Sequence, residues 1–113
     1  MKTIIPKSSQ NIVPVLQQFK SDLQKLYGER FEKLILYGSY TRGNQHTESD
    51  IDLLLILNGM TSASNELYYA NELITNYLLD YELLFSIIPT TADKFENMPN
   101  PLYYNIKREG VFV

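Results

Sequence analysis

The run Ile51-Asp52-Leu53-Leu54-Leu55-Ile56-Leu57, followed at once by Asn58-Gly59, constrains this chain more than any other stretch. Five successive large aliphatic residues cannot alternate between water and a core, so a strand built from them is covered on both faces. Asn-Gly then ends it as a turn. Such a strand needs a layer on each side, and 113 residues provide for one domain of that kind, spanning 1–113. The neighbouring segments supply the layers. Ile12, Val15, Leu16, Phe19, Leu23, Leu26 and Tyr27 recur at steps of three and four. That spacing predicts a helix over about 11–28, with Ser9 or Asn11 as its cap, Pro14 near its start and Gly28 as its stop. Phe31–Tyr37 reads as a strand ending at Gly38. A second long helix is expected over about 62–79, capped by Ser62 or Ser64, with Leu67, Ala70, Ile74, Tyr77 and Leu78 as its stripe. A third strand is expected from about Tyr81 to Ile88, stopped by Pro89, then a short helical turn near Thr91–Phe95. Asn100 and Pro101 open a last helix as cap and first residue, Gly110 closes it, and Val111–Val113 follows as an edge strand. The fold class is α/β, a small sheet covered by helices.

Composition narrows the function. Hydrophobic residues are 44% and charged residues 20%, the usage of an ordinary globular domain rather than a disordered one. The longest aliphatic run, Leu53–Leu57, is far too short to span a membrane, and Pro6 and Lys7 interrupt the N-terminal apolar residues that a secretory signal would need. No cysteine is present, which removes disulfides, thiolate zinc sites and cysteine nucleophiles together. A cytoplasmic setting is the expectation. The net charge is -3 with no dense basic stripe, which argues against direct binding of long nucleic acids.

The chemistry is concentrated in Tyr37–Leu54, YGSYTRGNQHTESDIDLL. Residues two apart on a strand point the same way, so Asp50 and Asp52 are expected to project from one face at the head of the aliphatic strand. Two carboxylates so close repel unless a cation lies between them, and hard oxygen ligands suit Mg²⁺. Gly38-Ser39 follows the first strand. Glycine allows close backbone approach to a ligand, a helical turn beginning there directs N–H groups at an anion, and the Ser39 hydroxyl adds a donor. Arg42 returns to the same mouth one turn later, suited to a forked phosphate contact. The pattern is G-S-x10-D-x-D. With each residue used at roughly one in fifteen to one in twenty, a chance match in the chain has odds of about one in a thousand. A third acid is expected on the next strand, Glu82 in preference to Asp80, to help hold an ion and accept a proton. Tyr40 is a candidate for stacking on a base, and His46, the single histidine, reads as a loop residue. Of the pairs Tyr68-Tyr69 and Tyr103-Tyr104, one member each is expected outside the core, in positions that suit an interface. Lys107-Arg108, beside Glu109, reads equally as a phosphate or partner contact and as a solvated helix end.

On the segments LYGSYTRG, SDIDLLLIL and PLYYNIKREGVFV, the chain resembles the minimal nucleotidyltransferase (MNT) domains of the DNA polymerase β-like superfamily, over essentially its whole length. The resemblance implies the small mixed sheet of that fold. It implies that Gly38, Ser39, Arg42 and Ser49 bind the nucleotide, and that Asp50, Asp52 and Glu82 bind Mg²⁺ and carry catalysis; the family's third acid is usually aspartate. The reaction implied is transfer of AMP from ATP to a hydroxyl. Small stand-alone members are typically antitoxins encoded beside HEPN-domain toxins, and can adenylylate a tyrosine of the toxin. A hetero-oligomer with a HEPN protein is therefore expected. The alternatives are a non-catalytic antitoxin acting by binding alone and a small-molecule, aminoglycoside-type nucleotidyltransferase.

Overall fold

The computed structural model describes residues 5–44 and 50–113. Its centre is a mixed sheet of four strands in the order β3-β2-β1-β4, made of β1 (Phe31–Tyr37), β2 (Ile51–Leu57), β3 (Phe85–Thr91) and β4 (Val111–Phe112). β1 runs antiparallel to β2 and to β4, while β2 and β3 are parallel. β2 is an inner strand, and every residue of it except Asp52 is buried. That is the covering on both faces expected of its aliphatic run.

Alternation along the strands divides the core in two. Leu34, Leu36, Ile51, Leu53, Leu55, Leu57, Phe85 and Ile87 face α1 (Val13–Tyr27) and α3 (Ala63–Tyr81). There Phe19 stacks on Phe85 with ring centroids 4.1 Å apart, and Tyr77 meets Phe19 edge-on at 5.0 Å. Ile35, Leu54 and Ile56 face α4 (Ala92–Asn97) and α5 (Pro101–Glu109), against Phe95, Tyr103 and Ile106. The Tyr103 hydroxyl, buried on that side, shares a hydrogen bond with the Thr90 hydroxyl at 2.9 Å. Among the described residues no helix is long and apolar enough to cross a membrane.

Several local expectations hold. The Ser62 hydroxyl caps α3 by accepting from the Asn65 N–H, and Asn100 Oδ1 caps α5 by accepting from the N–H groups of Leu102 and Tyr103, with Pro101 in the first turn. Others need correction. Neither Ser9 nor Asn11 caps α1. A 3-10 turn over Lys7–Ile12 leads into that helix, and the fully buried Ser9 hydroxyl donates instead to the Tyr40 carbonyl at 2.7 Å. On α3, Leu67 and Leu78 are exposed, whereas Glu66 is buried with Ala70 and Tyr77. Glu66 occupies an inward position because the Arg30 guanidinium pairs with its carboxylate, while the Tyr27 hydroxyl donates to its backbone carbonyl at 3.1 Å.

The third strand begins at Phe85 rather than Tyr81 and runs through Pro89 to Thr91. Two causes act. α3 continues to Tyr81, and Glu82 closes it in the left-handed conformation, φ 56°. β3 also lies at the edge of the sheet, where proline can turn its donor-less nitrogen to the outside and need not end the strand.

Candidate active site

Antiparallel pairing of β1 with β2 sets Tyr37 directly across from Asp52. The end of β1 and the beginning of β2 therefore meet at one end of the sheet, and the Gly38-Ser39 turn leaves β1 beside the aspartates. Gly38 has φ 81° and ψ -151°, and a Cβ there would run into the Asp52 carboxylate. Only glycine combines that backbone with that proximity. Ser39 opens the single helical turn α2 (Ser39–Arg42) and is half-buried. The turn is pinned at several points. The Thr41 hydroxyl donates to the Gly38 carbonyl at 2.7 Å, and Ser9 holds the Tyr40 carbonyl.

Asp52 is half-buried on the face of Leu54 and Ile56, and Asp50, the residue just before β2, is exposed. Burial pushes the Asp52 carboxyl above the usual carboxylate range, the Asp50 charge raises it further, and Arg42 pulls it back. Asp52 thus lies within electrostatic reach of a second carboxylate and of a guanidinium. Tyr37 records the same neighbourhood. Its phenol is pushed up to about 12, first by burial and then by Asp52. Such a pair of hard oxygen donors fits a divalent cation of the Mg²⁺ kind, which takes one or two carboxylates and completes its shell with phosphate and water.

The remaining candidates are distributed differently. Glu82 stands at the C-terminal end of α3, exposed, three residues ahead of β3, and Asp80 lies on the helix before it. Neither is on the strand beside Asp52; the β3 residue paired with Asp52 is Ser86. Among the described residues no three His, Asp or Glu side chains form a metal cage. Tyr40, on α2, is buried in the core and is not a stacking platform for a base. Ser49 and His46 lie outside the described residues. Both Tyr68 and Tyr69 are exposed, Tyr68 at 87%, whereas Tyr103 is buried and Tyr104 is exposed.

One residue at this mouth has no local signal in the sequence. Glu109, at the end of α5, accepts a hydrogen bond from Arg42 Nη1 at 3.1 Å, across 67 positions of chain. Spacing cannot reveal such a pair, because only the pairing of β4 with β1 brings α5 to this end of the sheet.

Comparisons with known proteins give the family. The nucleotidyltransferase domain family matches residues 16–113. Two proteins of Methanocaldococcus jannaschii are each 31% identical. "Putative protein adenylyltransferase MJ0604" aligns over 84% of this chain and 90% of its own length, and "Putative protein adenylyltransferase MJ0141" over 68% and 77%. A toxin-antitoxin crystallised with AMP-PNP shares the fold, with a TM-score of 0.62 at 17% identity over 85% of this chain and 70% of that one. With the Gly-Ser turn set against the paired aspartates, and with these relatives, the chain belongs to the nucleotidyltransferase domain family.

Proposed function

We propose that this chain transfers AMP from ATP to a hydroxyl, a tyrosine for preference, on a HEPN-type toxin in the cytoplasm, and so acts as its antitoxin. The observation that carries the proposal is the close approach of the Asp52 carboxylate to Gly38, where a Cβ would collide with it; this brings the turn suited to phosphates and an acid suited to a cation into one mouth. The names of the two archaeal relatives support a protein acceptor, and the toxin-antitoxin with AMP-PNP supports ATP and a toxin partner.

In this reading Ser39, Ser49 and Arg42 bind the triphosphate, the arginine through its forked N–H donors. Asp50 and Asp52 hold Mg²⁺, which when bound neutralises phosphate charge and polarises the α-phosphoryl group. The acceptor oxygen attacks the α-phosphorus as the bond to the bridging oxygen breaks, and pyrophosphate leaves. Glu82, exposed at the same end of the sheet, is the proposed third acid and takes the hydroxyl proton. The protein's contribution is positioning and charge, with no covalent intermediate.

The test is incubation with α-labelled ATP, Mg²⁺ and the product of the adjacent gene. Label should appear on that partner, and Asp50→Asn with Asp52→Asn should abolish it without unfolding the protein. Folded wild-type protein that labels nothing counts against the proposal. Glu82→Gln should slow transfer and Asp80→Asn should not. A second reading, neutralisation by binding alone, draws on Ser86 standing where an acid beside Asp52 would complete the site. It is favoured if the toxin stays neutralised after both aspartates are replaced.

A further inference from the structure

Arg42 and Glu109 differ in how firmly each is held. Arg42 is a long side chain, 48% exposed, on a helical turn of four residues. Left to itself, such a guanidinium samples many rotamers. Glu109 is 23% exposed and sits on an anchored stretch of backbone. The Gly110 N–H donates to the Ile106 carbonyl at 2.7 Å, closing α5. A Cβ at Gly110 would come within 2.7 Å of Ile35 Cγ2 and 2.6 Å of the Ile106 carbonyl, so the helix end lies directly on β1. Val111 and Phe112 then pair with Leu36 and Ile35, the residues that lead into Tyr37 and Gly38. Arg108 Nη2 donates to Glu109 Oε1 at 3.3 Å, while Oε2 takes Arg42. The Arg42 hydrogen bond is the chief influence holding the Glu109 carboxyl below its ordinary range, so it is ionised at neutral pH.

We propose that Glu109 is a positioning residue, which through its contact with Arg42 holds the guanidinium over the mouth bounded by Gly38 and Asp52, ready for the nucleotide's phosphates. This rests on the reading of Arg42 as a phosphate ligand. A guanidinium carries five donors, so a contact to one carboxylate leaves capacity for phosphate oxygens. An arginine already fixed loses less freedom when ATP arrives, which strengthens binding without any added contact. Exposed ion pairs contribute little to folding stability. A purely structural Glu109 and a positioning Glu109 therefore predict different results.

Equilibrium binding of ATP in the presence of Mg²⁺, with transfer kinetics alongside, separates them. Glu109→Ala should weaken ATP binding and raise KM about five- to tenfold, change kcat less, and leave the melting temperature within about 3 °C. Glu109→Asp, which keeps the charge, should recover part of the affinity, and Glu109→Gln less. In an Arg42→Ala background, Glu109→Ala should cost nothing further. The proposal is overturned if Glu109→Ala binds ATP like wild type, if its loss is undiminished without Arg42, or if Glu109→Ala and Glu109→Gln lose affinity only in step with melting. Folded wild-type protein that binds no ATP overturns the phosphate reading and this inference together. Wild-type binding that needs Asp50 and Asp52 but ignores Glu109 overturns this inference alone.

Discussion

Replacing Gly38 by alanine tests the geometry on which the site depends, and its two effects have different origins. The backbone at φ 81° and ψ -151° is a region left almost wholly to glycine, and a side chain there costs about 1–3 kcal/mol. For a chain of this length that lowers the melting temperature by roughly 4–12 °C. The new Cβ also collides with the Asp52 carboxylate and comes 3.3 Å from its Cγ and 3.4 Å from its Cβ. The carboxylate is the free end of a short side chain and turns aside at little cost in stability. It then leaves its working position, and a misplacement of about 1 Å is enough to slow a positioned reaction on the order of 100-fold. The loss of stability should therefore come from the backbone and the loss of activity from Asp52. A double-mutant cycle with Asp52→Ala separates them, using thermal melts without divalent ions and transfer from α-labelled ATP. Gly38→Ala should lower the melting temperature equally in both backgrounds, with coupling under about 0.5 kcal/mol. Coupling well above that would assign the stability loss to the collision. A Gly38→Ala protein that melts and transfers like wild type would refute the whole argument.

The Asp52 carboxyl, raised by burial and by Asp50, makes its full contribution to stability below the pKa it has in the unfolded chain, and loses it as pH rises through its folded value. Asp52→Asn should flatten that part of the melting-temperature profile and leave the metal-free protein at least as stable as wild type at pH 7; an unchanged profile refutes this. Arg30→Ala strands the buried Glu66 carboxylate. Because the arginine is itself 41% exposed, the cost should fall below that of breaking a fully buried pair, about 2 kcal/mol by urea unfolding, with Arg30→Lys recovering part. A change within experimental error would mean that water replaces the pair.

Features encoded in a few neighbouring residues are legible in the sequence itself. The aliphatic run of β2 needs cover on both faces wherever it lies, and Asn100-Pro101 defines a helix start without help from the rest of the chain. Features that depend on tertiary context are not legible. Pro89 reads as a stop, and whether it stops a strand depends on sheet order, which puts β3 at an edge. Glu82 reads as a strand residue, because a glutamate at φ 56° gives no warning in the sequence that it ends a helix. Ser9 has the chemistry of a cap, and a carbonyl 31 residues away claims its hydroxyl. Within the site, Gly38, Asp50 and Asp52 share one strand-turn-strand segment, so their spacing alone suggests that they meet. Nothing local does the same for Glu109, which reaches Arg42 only once the last strand has paired.

Pro89, in the middle of β3, bears on how copies of this protein meet. An outer strand normally offers a regular row of N–H and C=O groups on which a strand of another molecule can zip, the first step of many aggregates. Along this margin the row is broken at its centre by a residue with no N–H to give. Sideways growth of the sheet at that edge is discouraged, because an incoming strand finds a backbone donor missing within the row.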